Sequence, residues 1–218
     1  MTQADNICIV IIMIYCIGLG NPGETYQLTR HNVGIRALEA IHDTNGFSSF
    51  MLPQHKQYRS STGKIGSTAV VLVRPEVFMN NSGQVVGHFK SDLQKESSGL
   101  VVIHDDVALP IGVIRISEGR GDGGHNGVKS IISVLGTKKF IRIRIGVAPN
   151  FVTDADAGAD ISEDAREQKK PVINLESFVL KKFTPDEEKE LEKVLPKVSE
   201  ALVCMLDKGI EVAMNIHN

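Results

Sequence analysis

The three cysteines of this 218-residue chain, Cys8, Cys16 and Cys204, form no CxxC pair and leave an odd count. A zinc ribbon and a disulfide framework are excluded, and a reducing compartment is expected, which points to the cytoplasm. An excess of one charge is missing too. The formal net charge is −2 and the pI is near 6.4, which excludes a uniformly basic nucleic-acid-binding chain. The apolar run at residues 7–19 is about a dozen residues long, short of the about 20 that cross a bilayer. The first basic residue is Arg30, so neither a signal peptide nor a transit peptide is indicated, and no membrane partner is expected. There is no GxSxG elbow, no HExxH pair and no internal repeat.

What is present is globular composition, 42% hydrophobic and 23% charged, enough for one domain with a core. The charge is unevenly spread. Residues 1–149 hold 15 Lys/Arg against 11 Asp/Glu, and residues 150–218 hold 9 against 15. Seven basic residues fall between Arg115 and Arg144, so one local patch is available to a polyanion.

Hydrophobic periodicity predicts a buried strand at 7–19, a helix at 33–45, and paired strands at 57–65 and 69–73. It then predicts a helix through 85–93, strands at 100–103 and 113–116, a helix at 128–135 and a strand at 140–147. Thr184-Pro185-Asp186-Glu187 opens a closing helix, in which Pro196 predicts a kink. Strands alternating with helices define an α/β single domain, a mixed twisted sheet covered by helices. Met13 lies inside the first apolar run, so residues 1–12 read as an extension, or Met13 as the natural start. The domain is expected over 13–207, with an acidic surface insertion at 150–174 and a tail at 208–218. The insertion has six acids against three bases and reads as a solvated loop.

Gly18-x-Gly20-x-x-Gly23 after a strand matches a dinucleotide fingerprint. However, Pro22 lacks an amide for pyrophosphate, and no second strand ends in an acid about 20 residues on. Polar residues recur instead at element ends: Asn21, Arg30-His31-Asn32, Asn80, Asp105 and His125-Asn126. A histidine beside a carboxylate makes a general base for water, worth about 10²–10⁴ in rate. Asparagine amides orient the water and donate to a developing oxyanion, each worth about 10²–10³. The set suggests hydrolysis without a covalent intermediate. Spacing alone leaves a metal site from His31, His104, Asp105, Asp106 and His125 open, although no ligand-pair motif supports one.

These residues stand in longer motifs. Gly18-Leu19-Gly20-Asn21-Pro22-Gly23, Tyr26 and Thr29-Arg30-His31-Asn32-Val33-Gly34 resemble the first signature of bacterial-type peptidyl-tRNA hydrolase. Phe78-Met79-Asn80, Ser82-Gly83, His104-Asp105-Asp106 and Gly123-Gly124-His125-Asn126-Gly127 are similar to its later motifs, in the same order. Arg142-x-Arg144-Ile145-Gly146 and Phe178-Val179-Leu180 extend the likeness.

The resemblance implies an enzyme that hydrolyses the ester between a peptide, or another N-blocked aminoacyl group, and the 3′ end of tRNA. It implies His31 as the base, Asp105 as its orienting carboxylate and Asn21 as the residue that positions substrate or water. Asn80 and Asn126 would hold the peptidyl end, Tyr26 and Phe78 would line the cleft, and Lys129 and Arg144 would contact tRNA phosphate. Ser117 falls where relatives often carry a basic residue, with Arg115 and Arg120 flanking it. The expected partner is peptidyl-tRNA, with no metal, no cofactor, no obligate protein partner and a monomeric state. The competing expectation is a non-catalytic RNA-binding protein on the same fold.

Overall fold

The computed structural model describes residues 13–95, 98–149 and 174–218. The expected extension at 1–12, Cys8 and nearly all of the acidic insertion lie outside the described residues. Strand β1 (Met13–Gly18) is the apolar run at the N-terminal side, with Cys16 and Ile17 fully buried. It is followed by α1 (Val33–Thr44), β2 (Tyr58–Ile65), β3 (Thr68–Pro75), α2 (Ser82–Gly87) and α3 (Lys90–Leu93). Then come β4 (Ser98–Pro110), β5 (Ile114–Glu118), α4 (Asn126–Leu135) and β6 (Ile141–Ala148). Helices α5 (Leu175–Val179), α6 (Pro185–Lys208) and α7 (Ile210–His217) close the chain.

The six strands form one sheet in the order β2-β3-β1-β4-β6-β5. Strands β3, β1, β4 and β6 are parallel, and the edge strands β2 and β5 are antiparallel to their neighbours. Side chains alternate across this sheet. Tyr15, Ile17, Leu100 and Val102 face α2 and α4, where Val85, Val86, Val128 and Ile131 meet them. Cys16, Val101, Ile103, Ile143 and Ile145 face α1 and α6, against Leu38, Ile41, Leu191, Val198 and Leu202. The chain leaves β1 through α1 toward β3, then returns through α2 and α3 on the other face to β4. Strands β1 and β4 therefore flank the switch point, where ligands sit beyond the carboxyl ends.

Three details depart from the sequence-based reading, and a fourth holds. The helix through 85–93 breaks after Gly87 and resumes at Lys90, because glycine is the weakest ordinary helix former at that position. As read from the sequence, α6 continues past Pro196. Its missing N–H removes one hydrogen bond, and buried Val194 and Val198 on either side keep the helix packed. Strand β4 runs past Ile103 to Pro110, so His104 and Asp105 lie within the strand rather than at its end. The segment read as a tail carries α7, which packs on β5, and Asn218 pairs with both the N–H and the C=O of Ile116.

Candidate active site

Asp105 is buried within β4, two residues past the point where the neighbouring β1 ends, and collects two imidazoles. His31 Nδ1 lies 2.9 and 3.0 Å from its two oxygens, and His125 Nε2 lies 2.9 Å from Oδ1. The tautomer of His125 follows from its other nitrogen. That residue is the N-cap of α4, and its Nδ1 accepts from the backbone amides of Gly127 and Val128. Nδ1 therefore holds the lone pair and Nε2 carries the proton given to Asp105. Burial acts to raise the Asp105 carboxyl. The electrostatic attraction of the His125 and His31 imidazoles and the hydrogen bonds they donate outweigh it and hold the group well below the usual carboxylate range.

His31 sits in a 3-10 turn (Arg30–Asn32) immediately before α1. With Nδ1 donating to the carboxylate, Nε2 keeps the free lone pair, and the ring lines a cleft of about 890 Å³. Each residue of this turn reaches a different neighbour. Arg30 Nη2 pairs with Glu187 at 2.6 Å, and its Nη1 donates to the carbonyls of Lys181 and Lys182. The Asn32 amide clamps the backbone of Asn21, accepting from its N–H and donating to its C=O at 2.9 Å each. Asn21 Oδ1 in turn accepts from Met79 N at 2.8 Å, which leaves its NH₂ for a ligand.

Two of the three fingerprint glycines serve packing, and Gly23 supplies a positive φ of 100° in the turn. A Cβ on Gly18 would meet the Gly34 carbonyl oxygen at 2.4 Å, and one on Gly20 would meet Ile35 at 2.5 Å. The Asn21 amide is already committed to Asn32, so the turn holds α1 against β1 rather than cradling a phosphate. His104 is a third imidazole here. Burial, with His125 nearby, pushes it well below its ordinary pKa; its Nδ1 donates to the Asp105 carbonyl at 2.7 Å. Ser82 is a buried helix-start residue that donates to the Met79 carbonyl, and burial pushes the Cys16 thiol up to about 12.

The sequence-predicted residues divide. His31, Asp105, Asn21, Phe78, Asn80, Asn126 and Arg144 line the one cleft. Tyr26 stands behind, its ring edge-on to Phe78 at 6.2 Å, and Lys129 is exposed one turn into α4. Arg144 is already paired, 2.8 Å from Asp106. Arg142 is buried and donates to the Gly121 carbonyl, so it anchors the glycine-rich loop. His125, Asn32 and Asp106 were not singled out for these parts. Only the placement of His125 between a glycine cluster and a helix start signalled its capping role. The ligand atoms of His31, Asp105 and His125 lie within 4.8 Å of one another, close enough to hold a metal ion, although the carboxylate is satisfied by the two imidazole protons.

A carboxylate-oriented imidazole beside free amide groups, at the carboxyl ends of parallel strands, defines an α/β enzyme of the hydrolytic class. The family model for peptidyl-tRNA hydrolase matches residues 15–218. The peptidyl-tRNA hydrolase of Chloroflexus aurantiacus is 36% identical over 208 residues, 93% of this chain and 97% of that protein. That of Clostridium acetobutylicum is 36% identical over 208 residues, 94% and 98% of the two chains. The crystal structure of peptidyl-tRNA hydrolase from Acinetobacter baumannii superposes with a TM-score of 0.76 at 28% identity, covering 96% of this chain and 95% of that one. The chain belongs to the peptidyl-tRNA hydrolase family. Among the described residues, no helix is long and apolar enough to cross a membrane.

Proposed function

We propose that the protein hydrolyses the ester joining a peptide, or another N-blocked aminoacyl group, to the 3′ end of tRNA, and so recycles tRNA. The observation that carries the mechanism is the bond from His31 Nδ1 to both oxygens of buried Asp105, with Nε2 left for the cleft. Water gives a proton to Nε2 as its oxygen attacks the ester carbonyl carbon. Asp105 holds the ring in the required tautomer and stabilises the imidazolium. The carbonyl oxygen becomes an oxyanion, to which the Asn21 NH₂ donates. The bond to the ribose oxygen then breaks, and the imidazolium returns its proton to that oxygen. The products are intact tRNA and a carboxylic acid that loses its remaining proton to solvent.

Asn80 and Asn126 hold the peptidyl end, with Tyr26 and Phe78 shaping that side of the cleft. Lys129 and Arg144 meet tRNA phosphate, Arg144 with Asp106 fixing its direction. The protein works as a monomer in the cytoplasm, with no metal.

The test is release of a labelled N-acetyl-aminoacyl group from tRNA, with and without chelator. Expected are release unaffected by chelator and a loss of about 10²–10⁴ in kcat for His31→Ala, with tRNA binding retained. Near-normal turnover in folded His31→Ala would remove this mechanism. Binding of tRNA without release would make the protein an RNA-binding relative on the same fold.

A further inference from the structure

We propose that Arg142 is a positioning residue for hydrolysis, which sets the His125 imidazole against Asp105 by way of the glycine-rich loop. This rests on the ester-hydrolase reading above. Arg142 belongs to the cleft wall but is only 3% exposed, and among the described residues no carboxylate pairs with it, Asp106 being taken by Arg144. Burial and the neighbouring Arg144 both act against its charge. A phosphate contact calls for a cation at the surface, as Lys129 is; a buried guanidinium suits the holding of protein groups.

What it holds is one end of a short span. Arg142 Nη1 donates to the Gly121 carbonyl at 2.8 Å. The next residue, Asp122, accepts from Gly124 N at Oδ1, 2.8 Å away, and from His125 N at its carbonyl, 3.1 Å away. His125 Nε2 then closes the path on Asp105 at 2.9 Å. Both anchors stand on neighbouring strands, Arg142 opposite Val102 of β4 and Asp105 three positions further along β4. Directly across from Arg142 on β5 is Ser117, which puts no like charge on that side.

Pinned at both ends to one sheet, the span from Gly121 to His125 has few conformations left. Gly123 and Gly124, at φ of 63° and 82°, would allow many more if one end came free. With the Gly121 end released, His125 spends part of its time off Asp105. The carboxylate that orients His31 then loses one of its two imidazole donors. That loss acts on the reacting geometry and not on the grip on tRNA.

Arg142→Met fills the buried space without a donor or a charge. On N-acetyl-aminoacyl-tRNA it should lower kcat about tenfold, hold KM within about twofold and leave the salt dependence of tRNA affinity unchanged. Gly123→Ala keeps every charge, and its Cβ meets no atom within 4 Å, yet it strains the same loop; kcat should fall severalfold with KM again held. Proton NMR of the His125 Nε2 proton reads the path directly, and its exchange with water should quicken in both variants. A raised KM at unchanged kcat in Arg142→Met, with a salt slope flatter by about one, would make Arg142 a phosphate contact and overturn the proposal. Full kcat in both variants would overturn it as well, and if Arg142→Met does not fold, Gly123→Ala decides alone. No release by the parent protein would overturn the hydrolase reading, and this proposal with it.

Discussion

Gly34, the second residue of α1, offers a sharp test of how the site is positioned. A Cβ built there falls 2.4 Å from the Ile103 carbonyl oxygen and 2.7 Å from both N and O of Leu19. All three are backbone atoms of the central sheet or its exit, and none can rotate aside. Ordinary contact needs about 3.5 Å, so Gly34→Ala must lift the start of α1 by about 1 Å. Overpacking of this kind costs about 1–3 kcal/mol. His31 lies three residues before, in the turn that leads into the helix, and moves with it while Asp105 stays in β4. A misplacement of about 1 Å costs about 10²-fold in rate. The matched control is Gly87→Ala in α2, where the new Cβ meets only Val134 Cγ1, at 3.5 Å. That change should stabilise by about 0.4–1 kcal/mol and leave turnover alone. Urea unfolding with ester-hydrolysis kinetics reads both variants. Gly34→Ala within about 0.5 kcal/mol of the parent, and with its full kcat/KM, would refute the claim that this close approach sets the site.

Other outcomes follow from the same geometry. Asp105→Asn and His31→Ala should each slow hydrolysis, but together no more than His31→Ala alone, because both act on one imidazole; additive losses in a double-mutant cycle would separate them. His104 is held neutral when folded and takes up a proton only once unfolded, near its ordinary value of about 6.5. Stability should thus be full above that pH and fall below it, by at most about 1.4 kcal/mol per pH unit for this group, and His104→Asn should flatten that fall in urea midpoints. Arg30→Ala leaves Glu187 unpaired where the two side chains are only 6% and 15% exposed, and should cost about 3–5 kcal/mol of unfolding free energy. Mass mapping after brief alkylation should find Cys16 unmodified until denaturant is added, since its thiol is buried and raised to about 12.

Regular burial was legible and polar burial was not. The unbroken apolar run of β1, the period-2 run of β6 and the helical stripe of α1 are simple solvent-driven patterns, and among the described residues they fold as read. His104-Asp105-Asp106 ended the apolar count of β4, so the strand read short; its polar residues stay in the sheet because each finds a partner there. The pairing His31–Asp105 was readable from the motifs. His125 as a second donor was not, because its part depends on α4 starting beside β4, which no local pattern encodes. Arg142 and Arg144 stand two positions apart in one motif, yet one anchors a loop carbonyl and the other pairs with an aspartate. Gly18 and Gly20 of the GxGxxG pattern carry no nucleotide signal for a related reason: close helix packing selects glycine as strongly as a phosphate does.

The single turn at Arg30–Asn32 has a consequence for the order in which the molecule is built. His31 finds its carboxylate 74 positions later, and Arg30 its glutamate 157 positions later. A chain emerging from synthesis carries its first signature long before either partner exists. Contacts of such separation form late, after the entropy of closing the intervening loops has been met. An unfinished or truncated chain would therefore hold an imidazole with no oriented tautomer and a cleft with one side missing. Turnover should begin only when the last long helix has docked, which makes activity itself a reporter of completed folding.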